Sequence, residues 1–261
     1  MEPVQLPKPV ADAIAVWTDA HERTAPGTIE GLYLVGSAAL DDWTPHSDID
    51  IIAVVADPSD PDLVDQLAAA QVLVRERAPI AIDGPYVAWG DLVVPPMAVH
   101  RPWVLDGRYH VDAECFEINP VTWYTLATSG IALRGDRPDR LDVHVDLEDR
   151  RRWVVTNLDT YWRGVGRSLE EGLGASSEEE WGGELLEWVA LGVARMLLTY
   201  ETGDVVSKSA AGRWAAERIP GHEALFHRAV EIRATGGFVM REILVECAEV
   251  TREIVAAVTG R

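Results

Sequence analysis

Apolar residues recur at helical spacing over residues 10–22, where Val10, Ile14 and Trp17 mark one side of VADAIAVWTDAHE before APGT breaks the pattern. The next apolar run, GLYLVGS, is short and stops at a glycine, which predicts a strand entering a turn. IDIIAVVAD is β-branched and apolar at almost every position, the texture of a strand buried on both faces. PSDPDLVDQLAAAQVLVRERA then reads as a capped helix and PIAIDGPYVAW as a third strand. Strand, helix and strand in that order predict an α/β or α+β layer: a mixed or parallel sheet flanked by helices.

The texture changes after SGIALRGDRPDRL, where Gly, Pro and Arg cluster. A domain boundary near residue 140 is expected, giving segments 1–140 and 141–261. In the second, Trp153, Leu158, Tyr161, Trp162, Val165 and Leu169 repeat at intervals of three and four, which predicts an all-α helical bundle. Within it SSEEEW, residues 176–181, reads as a serine cap followed by glutamates at a helix start.

Charge narrows the partners. With 43 acidic against 23 basic residues the net charge is −20, which repels nucleic acid and favours small cationic molecules. Two cysteines, Cys115 and Cys247, without metal-ligand spacing, are expected as buried thiols. No apolar run approaches membrane-spanning length and no signal-like segment opens the chain, so a cytoplasmic monomer with no membrane partner is expected.

The chemistry concentrates in LVGSAALDDWTPHSDIDIIAVV, residues 34–55. Asp48 and Asp50 are two residues apart at the head of a strand, so their side chains share a face at a Cα separation of roughly 6–7 Å. Carboxylates brought to about 5 Å repel by roughly 3 kcal/mol at an effective dielectric near 20. A bound divalent cation reverses that cost, and magnesium prefers such oxygen donors. Gly36 lets a ligand approach the backbone and Ser37 can donate to a phosphate. His46 lacks a metal-binding partner and reads as a loop residue.

Gly36-Ser37, a spacer, then Asp48-Ile49-Asp50-Ile51 resembles the signature of the DNA polymerase β nucleotidyltransferase superfamily. That superfamily implies a third carboxylate on a neighbouring strand. Asp83 lies in the right order, and on the residues alone Asp91 and Asp112 remain alternatives. The context of Asp83 is similar to the streptomycin and spectinomycin type of aminoglycoside adenylyltransferase, whose members usually carry Glu there. WYTLATSGIALRGD (123–136) and ARMLLTYETGDVVSKSAAGRWAAERIP (194–220) extend the resemblance over most of the chain.

The resemblance implies an N-terminal nucleotidyltransferase domain and a C-terminal helical domain closing the nucleotide and substrate cleft. It also implies magnesium held by Asp48, Asp50 and Asp83, and ATP as co-substrate. Gly36, Ser37 and Ser47 are expected at the nucleotide, with Arg195 and Lys208 reaching its phosphates. The bland alternative pairs Arg195 with Glu184 or Glu187 and leaves Lys208 solvated near a helix start. The implied reaction moves AMP to a hydroxyl of a small cationic acceptor, with Asp83 as base and pyrophosphate leaving. Glu184, Glu187 and Trp103 are expected acceptor contacts, although Trp181 and Leu185 stand where the family's drug-holding acids are expected. Competing readings are transfer to a protein hydroxyl and a non-catalytic nucleotide-binding module.

Overall fold

The computed structural model describes residues 6–260. The chain divides into two compact units, Met1–Asp146 and Leu147–Arg261.

The first unit runs α1 (Lys8–Thr24), β1 (Ile29–Leu34), α2 (Gly36–Ala39), β2 (Ile49–Val55), α3 (Pro61–Arg77), β3 (Ile82–Val87) and α4 (Trp89–Leu92). It continues with β4 (Trp103–Leu105), β5 (Arg108–His110), α5 (Pro120–Ser129) and β6 (Ile131–Arg134). The six strands form one sheet in the order β5-β4-β3-β2-β1-β6. Only β2 and β3 run parallel, because α3 carries the chain back between them; the other pairs are antiparallel, so the sheet is mixed and the fold α+β.

Side-chain alternation divides the sheet into two faces. Ile49, Ile51, Ala53 and Val55 join Val10 and Trp17 of α1 and Leu67 and Val74 of α3 in one apolar cluster. Ile52 and Val54 join Tyr33, Val35 and Val87 in a second, which Trp123 and Leu126 of α5 cover. Both faces of β2 are thus buried, which is why its sequence shows no polar alternation. Local chemistry sets the helix starts: Asp60 accepts from the Asp62 N–H ahead of α3, and Asn119 accepts from the N–H groups of Val121 and Thr122 ahead of α5.

In the second unit α6 (Leu147–Asn157) passes through a π-helical stretch, Leu158–Trp162, into α7 (Arg163–Ala175). Then β7 (Glu180–Gly182) leads to α8 (Gly183–Leu186), a second π-helical stretch Glu187–Leu191, and α9 (Gly192–Thr202). α10 (Lys208–Arg218), α11 (Glu223–Thr235), β8 (Phe238–Met240) and α12 (Arg241–Thr259) complete it. The unit is helical, with one addition to the expected all-α bundle: β7 and β8 pair antiparallel.

That ribbon overturns the reading of SSEEEW as a helix start. The Ser176 hydroxyl accepts from the Glu178 N–H in a local turn, Glu180 and Trp181 enter β7, and α8 begins only at Gly183. Pairing with Phe238–Met240 offers these backbone groups partners that a new helix turn would deny them. Among the described residues no helix is long and apolar enough to cross a membrane.

Candidate active site

Ile49 points into the apolar cluster between Asp48 and Asp50, so the strand's own burial aims the acids away from that cluster. Asp48 is exposed immediately before β2 and Asp50 is half-buried within it. Across the parallel pair, Asp50 stands in register with Asp83. The Val35 N–H donates to the Asp50 carbonyl at 3.0 Å, tying the end of β1 to this point of β2.

The next residue, Gly36, has φ +58°, and a Cβ there would lie 1.8 Å from Asp50 Oδ2. Glycine is required both for the left-handed backbone and for the carboxylate to lie against it. Beside it, Ser37 Oγ is buried and has no hydrogen-bond partner. A buried hydroxyl without a partner costs stability and suits a site completed by a ligand.

Asp83 is 2 % exposed. Its Oδ2 accepts from the Asp106 N–H at 3.0 Å and its Oδ1 from the Gly107 N–H at 3.2 Å. Asp106 and Gly107 form the two-residue turn between β4 and β5, with φ +50° and +67°, the left-handed pair of a type I′ hairpin. Burial pushes the Asp83 carboxyl above its ordinary pKa, the two N–H donors pull it back, and the charges of Asp48 and Asp106 add to the rise.

A fourth acid joins them. Glu117, on the loop before α5, is held well above the usual carboxylate range by burial and then by the charges of Asp50, Asp83 and Asp48. Sequence reasoning missed it, although a lone acid between Phe116 and Ile118, just ahead of the Asn119 cap, was a visible signal.

Other residues fall elsewhere. Asp91 is a structural ion pair: its oxygens accept from Arg101 Nε and Nη2, both at 2.8 Å, and from the Ala88 N–H. Asp112 is exposed on the loop after β5, as His46 is on the loop before β2. The Ser47 hydroxyl accepts from the Thr44 N–H at 3.2 Å and closes a turn ahead of Asp48. Trp103 is buried, donates Nε1–H to the Ala113 carbonyl and meets Phe116 edge-on at 4.8 Å; it is core, not a stacking surface for an acceptor.

In the helical unit Arg195 is half-buried on α9, and Lys208 is the first residue of α10, whose Ser207 cap accepts from the Ala210 N–H. Lys208 Nζ lies 3.6 Å from Glu187 Oε1, and the buried Arg233 donates to the same oxygen. Glu187 thus pairs through one oxygen with two cations of its own unit. Glu184 is exposed. Trp181 and Leu185 line an apolar cavity of about 550 Å³ together with Tyr161 and Trp188.

Two family models match the chain. Residues 20–83, spanning Gly36, Ser37 and both aspartates and ending at Asp83, match the family described as nucleotidyltransferase domain. Residues 153–252 match the aminoglycoside adenylyltransferase C-terminal domain. The chain thus joins a nucleotidyltransferase domain to the C-terminal domain of the aminoglycoside adenylyltransferases. It is an enzyme, a nucleotidyltransferase. Its fold is similar to that of spectinomycin adenyltransferase AAD(9) from Enterococcus faecialis, solved with ATP and spectinomycin. The TM-score is 0.68 at 14% identity, covering 94% of this chain and 98% of the other, a likeness of fold. No curated protein matches the chain.

Whether this nucleotidyltransferase can hold magnesium turns on its donor set. Among the described residues no cluster of three His, Cys, Asp or Glu side chains is arranged to bind a metal ion. Asp83 accepts one hydrogen bond at each oxygen from the β4–β5 turn, which leaves a further lone pair on both. Asp48 and Asp50, with the cradle at Gly36 and the unpartnered Ser37 hydroxyl, still present the oxygen-rich, phosphate-accepting surroundings that magnesium favours.

Proposed function

We propose that the protein transfers AMP from ATP to a hydroxyl of a small, cationic, aminoglycoside-like acceptor and releases pyrophosphate. The observation that carries this reading is the register of Asp50 against Asp83 beside Gly36 and Ser37. Magnesium held by Asp48 and Asp50 would offset their repulsion and draw charge from the nucleotide's phosphates.

The chain's own groups divide the remaining work. Gly36 admits the phosphates to the backbone and Ser37 donates its hydroxyl proton to one of their oxygens. Asp83 accepts the proton of the acceptor hydroxyl as that oxygen attacks the α-phosphorus. Its raised pKa makes it a stronger base than an ordinary carboxylate, and the two N–H donors fix its orientation. Arg195 and Lys208 bind the phosphates and offset the charge that grows on pyrophosphate.

The acceptor is read from charge and from relatives. A net charge of −20 raises the local concentration of polyamines, and the similar AAD(9) structure was solved with spectinomycin. Glu184, exposed on α8, stays assigned to the acceptor. We place the enzyme in the cytoplasm, as a monomer. Mass spectrometry of a mixed aminoglycoside panel incubated with the protein, ATP and magnesium tests the reading. One acceptor should gain an adenylyl group, with pyrophosphate released in step; a panel left unmodified, without pyrophosphate release, would overturn it.

A further inference from the structure

Lys208 occupies a position that its own helix does not favour. The first turn of a helix carries a partial positive charge, so a lysine at the first residue of α10 is electrostatically opposed by the backbone behind it. Glu187 helps offset this: it arrives from the π-helical stretch ahead of α9 and places Oε1 3.6 Å from the ammonium.

Glu187 cannot easily follow Lys208, because it is anchored from the other side. Arg233 on α11 is 4 % exposed and donates Nη1–H to the same Oε1. A guanidinium buried that deeply needs an anion to remain stable, so the Arg233 pair is the tight one. The 3.6 Å separation to Lys208 is beyond normal hydrogen-bond length. The arrangement is a fixed carboxylate with a second cation resting loosely against it.

We infer that Glu187 is a positioning residue for Lys208. Anchored by Arg233, it holds the ammonium where the nucleotide's phosphates can take it over, and it makes no contact with the acceptor. The inference rests on the proposed role of Lys208 as a phosphate ligand.

Calorimetric titration of magnesium-ATP into the wild type, Glu187→Gln, Lys208→Ala and the double variant tests it, with steady-state KM values for both substrates. Glu187→Gln should weaken ATP binding about five- to tenfold while the acceptor KM stays within about twofold. In the Lys208→Ala background the same change should cost nothing further, because its partner is gone. Losses that add in the double variant, tighter ATP binding by Glu187→Gln, or a rise confined to the acceptor KM would overturn the inference alone. Wild-type ATP affinity in Lys208→Ala would instead overturn the phosphate-ligand reading, and the inference with it. Should Glu187→Gln fail to fold, Glu187→Asp keeps the charge but draws it back. It should raise the ATP KM without lowering the unfolding temperature by more than a few degrees, and an unchanged ATP KM would count against the inference.

Discussion

Asp50 and Asp83 are register partners on the parallel strands β2 and β3, so the backbone ladder itself sets one carboxylate beside the other. Their roles differ: Asp50 lies against Gly36, whereas Asp83 is held by the Asp106 and Gly107 N–H groups. Asp50→Asn and Asp83→Asn should each lower kcat by about 100-fold or more, within the range for losing a general base or an electrostatic stabiliser. Pyrophosphate release at saturating ATP reads the loss. Calorimetry should show ATP affinity reduced by Asp50→Asn and retained by Asp83→Asn.

Gly36 allows a test by addition of one methyl group. In Gly36→Ala the new Cβ would meet Asp50 Oδ2 at 1.8 Å, on a backbone with φ +58°. The carboxylate must move, so activity should fall by at least the Asp50→Asn factor, with a stability loss of about 1–2 kcal/mol. Gly90→Ala is the matched control, because nothing lies within 4 Å of its added Cβ. It should unfold and turn over as the wild type does.

The hairpin turn beneath Asp83 makes a different prediction. Gly107→Ala places a side chain at φ +67° with its Cβ 3.3 Å from Arg75 Cγ, which should cost about 1 kcal/mol and tilt the N–H away from Asp83. A several-fold fall in kcat with an unchanged ATP KM is expected. Asp106→Asn keeps both the N–H and a residue tolerant of the left-handed region, so steady-state assays should find it near wild type.

His21 supplies the pH dependence of stability. It is buried, donates Nδ1–H to the Trp17 carbonyl and accepts from the Tyr86 hydroxyl at Nε2, and burial lowers its pKa from 6.5 to about 4. Between those values the unfolded chain binds the proton and the folded one does not, so stability rises with pH across the window. The contribution is complete above pH 6.5 and is lost as pH falls towards 4, up to roughly 3 kcal/mol in all. Urea unfolding of wild type and His21→Gln at several pH values should show a smaller pH slope for the variant between 6.5 and 4. Equal slopes would refute the assignment.

Strength of local pattern decided which parts of the fold were legible. β2 is seven residues with both faces buried, and α1 and α3 are seventeen residues each, long enough for periodicity to show. β4, β5, β7 and β8 have three residues apiece, too few for any alternation, and they exist because a neighbouring strand offers hydrogen bonds. The helix signal in SSEEEW was real but local, and pairing with a segment far along the chain outweighed it.

The amino-acid order by itself determined the Gly-Ser turn, the two aspartates at the head of a buried strand and the helical character of the C-terminal region, because each is written in contiguous residues. Tertiary structure alone decided among the remaining acids and aromatics. Asp83 and Asp91 look alike in sequence, yet strand register puts one beside Asp50 and Arg101 claims the other. Trp103 became core and Glu187 the partner of Arg233, while Glu117, unmarked by any motif, entered the field of Asp48, Asp50 and Asp83. A side chain's role depends on what packs against it, and those neighbours come from distant parts of the chain.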